Sequence, residues 1–285
     1  NSRPSSTSSH VGWTSLTVEQ GMKMSCDTWF NSMLKYNIDP HDWKKPSLTG
    51  QCHLFREVVS KNPDKYVGLI DRAIADERIL LDYPQAGMQG LLDAGRMDEA
   101  MHVLGAILCV IGNDVNSDVR GFSIHSLLFA LNDIPKQDNI PAIVMNLLCN
   151  ALINAKEPEE DRHKEDKDVH TVGINQARGN AGYMLVECAR SEQYKEKIFE
   201  TIESIAETAS IYTRAAILLN MAALNLLDKN RNVELFKRLM HDYNPRLMSL
   251  PVHNYNPLVY FINYAVGELM DYFEHAANCP ACYPG

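Results

Sequence analysis

The end of the chain carries the one spacing of metal-ligand type in the sequence, His275-x3-Cys279-x2-Cys282. Imidazole nitrogen and thiolate sulfur suit tetrahedral zinc, but a structural zinc site needs four ligands. A fourth ligand would have to be His241 or His253, brought close by the fold. The two cysteines also have redox spacing, yet they lack the strand–helix–strand context in which such pairs work. These three residues are therefore weak metal candidates, and a free C-terminal segment is the interpretation that we favour.

Other arrangements that would support catalysis are incomplete. Ser123 follows Gly121-Phe122 as in a nucleophile elbow, but the second glycine and the preceding strand are missing. His163 lies within the charged segment 156–168 and His170 just after it, and the composition of this segment does not favour a fixed catalytic geometry. No phosphate-binding loop, HExxH or GxGxxG pattern occurs. We predict no catalytic residue and no cofactor, and a metal-dependent enzyme is the least favoured hypothesis.

An arginine followed by small and aliphatic residues recurs three times. Recurrence of a helical unit is typical of stacked helical-repeat proteins. Such an arginine can pair with an acid or a backbone carbonyl of the adjacent repeat, or it can face a ligand. We favour the pairing role. Asp118 and Glu207 are the nearby acids that fit this pairing. The repeat motif comprises Asp118, Arg120, Gly121, Arg178, Gly179 and Arg214.

Apolar residues at helical spacing predict helices along almost the whole chain, and no alternating strand pattern is present. The connections are short and rich in Asn, Asp, Gly or Pro. The sequence predicts an all-α fold, an irregular HEAT-like α-solenoid of stacked antiparallel helix pairs. After a first helix capped by Ser25 or Asp27, the predicted helices span 51–60, 64–76, 84–94, 97–111, 118–132, 138–155, 171–190, 192–207, 211–227, 231–241 and 256–276.

The domain organisation follows from shifts in composition. Residues 1–16 are rich in Ser and Thr and predict an extended lead-in, 17–276 a helical-repeat domain, and 277–285 a flexible C-terminal tail. The segment 156–168 is almost entirely charged and predicts a solvated loop, with partner contact as the alternative.

Composition argues against several classes of protein. The 285 residues carry a net charge of −9 without a separate basic cluster, which disfavours nucleic-acid binding. The longest apolar run, 104–111, is much shorter than the roughly 20 residues needed to span a bilayer. Seven scattered cysteines favour a reducing, cytoplasmic compartment. Because the chain begins with Asn1, we expect it to be a fragment of a longer protein.

Short motifs occur in a fixed order along the chain. They are a Pro/Ser-rich lead-in Pro4–Ser9, a Trp-bearing helix that ends in Leu34–Tyr36, and then Phe55–Val59, Asn62–Tyr66, Tyr83–Ala94, Asn175–Ala181, Thr213–Ala216 and Leu235-Phe236. In this order they resemble the helical-repeat region of large bacterial STAND-type NTPases, the group that includes antiviral defence sensors. The resemblance covers roughly residues 3–275. Gln176-Ala177 stands where that family typically has Asn-Ser-Val, and the 156–168 segment has no fixed counterpart, so the subfamily and its target stay open.

The resemblance implies that two parts of one longer polypeptide have separate roles. An upstream NTPase module of the same polypeptide would bind ATP and drive oligomerisation, and the repeats would bind a foreign or cellular protein on their surface. A second, local similarity joins Leu92–Ala100 to the helix junction of tetratricopeptide and pentatricopeptide units, which also indicates a helical hairpin. Two non-enzymatic hypotheses follow: a protein-recognition segment of a STAND-type NTPase, or a standalone helical-repeat adaptor.

Overall fold

A computed structural model describes residues 14, 16–37, 46–112, 114–157, 168–248 and 261–278. These residues form α-helices joined by short turns and 3-10 segments, with one isolated bridge between Val119 and Phe122 and no strand among them. The helices are α1 Val18–Lys23, α2 Cys26–Lys35, α3 Leu48–Lys61, α4 Pro63–Ala75, α5 Asp82–Asp93, α6 Met97–Ile111, α7 Ile124–Ala130, α8 Ala142–Asn154, α9 Val169–Ile174, α10 Ala177–Glu187, α11 Lys195–Ile205, α12 Ile211–Leu219, α13 Lys229–Leu239, α14 Pro245–Met248 and α15 Met270–Ala277.

The chain divides into two compact units, the first made of residues 1–113 and 117–123 and the second of 114–116 and 124–285. In the first unit α3 packs most extensively on α5, while α2 packs on α4 and α4 on α6. In the second unit α10 packs between α8 and α12, and α9 also packs on α12. Packing between next-but-one helices is the arrangement of stacked helix pairs. The predicted all-α helical-repeat fold is confirmed.

The core of the first unit is built around aromatic side chains. The ring of Phe55 lies 5.2 Å from that of Trp29 and 5.9 Å from that of Tyr66. The Trp29 indole N–H donates to the carbonyl of Gly21 at 2.9 Å. At Gly90 an added Cβ would lie 2.5 Å from the Arg56 carbonyl oxygen, so a glycine is required where α3 and α5 approach.

Side-chain caps fix several helix starts. The Thr17 hydroxyl and the Gln20 side chain form a reciprocal capping box on α1, and Ser25 caps α2 through the backbone N–H of Thr28. Ser210 caps α12 by accepting from the N–H of Thr213. The prediction of a cap at the start of α2 is confirmed for Ser25. No helix in the described ranges has the length and apolar character needed to cross a membrane.

Four helix predictions need correction. The predicted helix 118–132 is wrong at its start, because α7 begins at Ile124 and residues 118–123 form a turn. The single helix predicted for 171–190 is interrupted at 175–176 between α9 and α10. The helix predicted for 211–227 ends at Leu219 and continues as the 3-10 segment Met221–Leu226. Of the helix 256–276, residues 256–260 lie outside the described ranges, and α15 starts only at Met270 after a 3-10 turn.

Three segment predictions fall largely on residues that the structure does not describe. They are most of the lead-in 1–16, residues 158–167 of the charged loop and residues 279–285 of the tail. Two short helices, α1 and α14, were not predicted from the sequence. The assignment of 17–276 to one domain stays a prediction beside the two compact units.

Candidate protein-binding groove

Arg214 holds the end of one helix from the first turn of another. Its side chain extends from α12, and the residue is 4% exposed. One terminal nitrogen donates to the Leu239 carbonyl at 2.8 Å, and both donate to the Asp242 carboxylate at 2.9 and 2.8 Å. These bonds lower the pKa of Asp242. The pairing with Glu207 expected from the sequence is wrong, because Glu207 accepts from Arg238 at 2.8 Å.

Arg178, in the first turn of α10, faces the Glu157 carboxylate, which also accepts hydrogen bonds from other residues. Its Nη1 lies 3.1 Å from Oε1 of Glu157, just beyond the end of α8. The same carboxylate accepts from the Ser210 N–H at 3.1 Å, the Ser210 hydroxyl at 2.6 Å and the Thr213 hydroxyl at 2.8 Å. Since Ser210 and Thr213 begin α12, the negative charge sits at a helix N-terminus, where the macrodipole stabilises it. Glu157 therefore joins three helices of the second unit.

Arg120 lies in a turn rather than in a helix. Its φ is 56°, followed by a φ of 70° at Gly121, which a glycine adopts without strain but an arginine rarely does. Its Nη1 donates to the carbonyls of Asp76 and Ile79, both at 3.1 Å, and its Nη2 donates to that of Ile74 at 3.1 Å. Asp118 is exposed in the same turn. The arginine thus binds the carbonyl end of α4.

Two of the three arginines bind backbone carbonyls at a helix C-terminus, Arg214 at α13 and Arg120 at α4. Helix C-termini leave carbonyls without intrahelical donors and carry negative partial charge, so a cation stabilises them. Arg178 instead pairs with the carboxylate of Glu157, three residues beyond the end of α8. Gly179, next to Arg178, lies where a Cβ would come 2.3 Å from the Gly173 carbonyl oxygen. These motif residues therefore fasten helices together.

Arg120 also lines an open groove in the first unit. The groove lies between α4 and α6 and has a volume of about 560 Å³. Small or aliphatic side chains lie along both helices, and acidic side chains lie at the α4 side. The lining residues are Asp71, Ile74 and Ala75 of α4, Glu77 of the following turn, His102, Ala106 and Val110 of α6, and Arg120.

Two carboxylates, those of Asp71 and Glu77, line the groove without a lysine or arginine partner in the described part of the chain. The Asp71 side chain is 46% exposed and its Oδ1 lies 3.6 Å from Nε2 of His102, which is charged only when protonated. Glu77 is exposed and makes no hydrogen bond or ion pair within the described ranges. Two rigid helices thus present an apolar strip beside two accessible acids. Such a groove has features that protein segments use for docking.

The metal candidates fall partly outside the described chain. His275 lies on α15, with its ring 4.9 Å from that of Tyr243, and lines a second open groove of about 520 Å³. Cys279 and Cys282 lie outside the described residues, so zinc binding by these residues is untested. Within the described ranges, no group of three or more Cys, His, Asp and Glu side chains is placed to hold a metal ion.

A buried histidine is the remaining titratable group of note. His170 on α9 is 5% exposed, and neither ring nitrogen has a hydrogen-bond partner in the described part of the chain. Its Nδ1 lies 4.0 Å from Oδ2 of Asp168, and its ring packs edge-on near Tyr183 at 6.5 Å. Burial lowers the pKa of His170, and the Asp168 charge opposes this only in part. The ring therefore packs against α10 through Tyr183.

Sequence reasoning missed both Glu157 and the groove. For the groove a signal existed, since Asp71 and Ala75 on α4, and His102, Ala106 and Val110 on α6, recur at intervals of four residues. Glu157 offered no such signal, because it stands at the start of a charged run. Comparisons with protein-family models, with curated proteins and with solved structures gave no match in any of the three.

Proposed function

We propose that this chain is a non-catalytic protein-recognition module that binds a segment of another protein in the groove between α4 and α6. The observation that carries this proposal is the groove itself, which combines an apolar strip along Ala75, Ala106 and Val110 with accessible carboxylates at its rim. Protein interfaces combine such an apolar centre with a polar rim. The groove is open to solvent, as the docking of a segment from another protein requires.

Contacts that join the walls of the groove support the same proposal. Arg96, at the start of α6, pairs with Asp64 of α4 at 2.7 Å. Arg120 ties the carbonyl end of α4 to the turn at 118–123. Contacts of this kind lower the entropy cost of ordering the surface when a partner binds. Recognition at a preformed helical surface is the general use of helical-repeat folds.

Site-directed photo-crosslinking in the cells that produce the protein tests this proposal. A benzoylphenylalanine at His102, whose side chain lines the groove and is 67% exposed, reports on the groove, and the same residue at Glu57 reports on the exposed side of α3. We expect defined protein adducts from position 102 and none of the same mass from position 57. Adducts that are equal at both positions, or that are absent at position 102, contradict the proposal.

A narrower proposal is that this module belongs to a STAND-type NTPase and acts as its sensor. Its support is the ordered motif series from Phe55 to Phe236. Sequencing the parent reading frame upstream of Asn1 tests it. A P-loop module in that frame supports the sensor role, and a frame that starts just before residue 1 contradicts it and favours a standalone adaptor. The groove proposal is independent of this result.

A further inference from the structure

We infer that the α4–α6 groove selects a protein segment in which a lysine or arginine stands next to an apolar residue. This inference rests on the proposed function, since it names the chemistry of the bound segment. It is carried by the balance of charges around the groove and by the small side chains between them.

Two carboxylates line the groove. Asp71 and Glu77 both reach solvent at the groove, one from α4 and one from the turn after it. Within the described ranges the nearest cationic group to Asp71 is the His102 ring at 3.6 Å, and Glu77 has no partner. Two accessible carboxylates on one rim attract a cation and disfavour an acidic segment.

Arg120 lines the groove, and its guanidinium is held by backbone carbonyls. It donates to the carbonyl of Ile74 in the last turn of α4 and to those of Asp76 and Ile79 in the turn that follows. The Asp76 carboxylate accepts from the Arg78 side chain at 2.9 and 2.6 Å, so this pair adds no net charge. Arg120 keeps its positive charge, but the carboxylates of Asp71 and Glu77 outnumber it on the groove lining.

The space between α4 and α6 is lined by small apolar side chains. Ala75 and Ala106 are small, and Val110 continues the strip along α6. A lysine or arginine carries three or four methylene groups that pack on apolar surface while the charged head reaches a carboxylate. An apolar neighbour in the same segment then covers Val110. The groove therefore fits a cation on an aliphatic stem better than a compact polar side chain.

Selection from a phage-displayed library of random peptides on the immobilised 285-residue chain tests this inference. The test variant is Asp71→Asn with Glu77→Gln, and the matched control is Glu57→Gln, which neutralises an exposed carboxylate on α3. We expect enriched peptides that pair a basic with an apolar residue. Their affinity should fall about tenfold, equivalent to about 1.4 kcal/mol, in the test variant and stay unchanged in the control. Since these carboxylates are exposed, the thermal midpoints of both variants should match the wild type.

The outcomes separate this inference from the proposed function. Enriched peptides that are acidic, or that bind the test variant as tightly as the wild type, overturn the inference. If those peptides still compete with one another and fail to bind when Ala106→Trp fills the groove, the proposed function stands. A selection that enriches no sequence contradicts both.

Discussion

Replacing Arg214 by alanine tests whether the repeat arginines hold the helices together. The change removes three hydrogen bonds at once. It leaves the Leu239 carbonyl and the Asp242 carboxylate without their donor, and it opens a cavity at a residue that is 4% exposed. Each of these effects lowers the free energy of unfolding.

The magnitude follows from the burial of the two partners. Breaking a fully buried pair costs roughly 3–5 kcal/mol. The Arg214 side chain is 5% exposed, but that of Asp242 is 36% exposed and regains water when the arginine is lost. We therefore expect a loss at the lower end, about 3 kcal/mol. Because Arg214 lowers the pKa of Asp242 below 3.8, this part of the stability is present at neutral pH. It disappears as the pH falls through the lowered value.

Urea unfolding followed by circular dichroism at pH 7 measures the effect. The control is Arg238→Ala in the same unit, because the Arg238 and Glu207 side chains are 42% and 57% exposed. An exposed pair of this kind contributes about 1 kcal/mol or less. If Arg214→Ala costs no more than Arg238→Ala, the structural role is refuted. Unchanged stability together with lost partner binding would assign Arg214 to the ligand.

Gly90→Ala should lower the free energy of unfolding by about 1–3 kcal/mol, because the added Cβ lies 2.5 Å from a carbonyl oxygen. Gly68→Ala, inside α4 with no atom within 4 Å of the added Cβ, should raise the free energy of unfolding by about 0.5–1 kcal/mol. Urea unfolding that shifts the stability of both variants in the same direction would contradict this. Glu157→Ala should lower the free energy of unfolding by about 1–3 kcal/mol, since it leaves the Arg178 guanidinium, which is 14% exposed, without its carboxylate partner. A thermal midpoint equal to that of the wild type would show that Glu157 does not hold these helices together. The pKa of His170 is lowered in the folded state, so the unfolded state binds the proton more readily and stability should fall as the pH drops below 6.5. His170→Phe should make the thermal midpoint depend less on pH between 5 and 8. An unaltered pH dependence in this variant would exclude His170 as its source.

Local sequence predicted those elements whose ends are set locally. The helix 97–111 coincides with α6, because Gly112 with a φ of 76° stops it and its apolar spacing is regular. Ser25 caps α2 through its own hydroxyl, as its type and position predict.

Local sequence failed where distant contacts decide the conformation. In the turn at 118–123, Arg120 donates to carbonyls of Ile74, Asp76 and Ile79, which are 41 to 46 residues away. Asn175 and Gln176 interrupt a helical pattern just after Gly173, where an added Cβ would lie 2.2 Å from the Tyr212 carbonyl oxygen of α12. No window of local sequence contains these contacts.

The candidate site was less predictable than the fold. The arginines were found from their recurrence, but Asp242 and Glu157 acquire their roles from residues that are 28 and 53 positions away. The groove arises because α4 and α6 pack side by side, and neither helix alone carries a recognisable motif.

Blocking the groove shows whether the α4–α6 groove binds a protein. Ala106→Trp places a large ring between α4 and α6 without changing any charge. The quantity to measure is the affinity for the protein crosslinked through position 102, by fluorescence anisotropy on wild type and variant. We expect at least about tenfold weaker binding with an unchanged thermal midpoint. Equal affinity in the folded variant would contradict recognition in the groove.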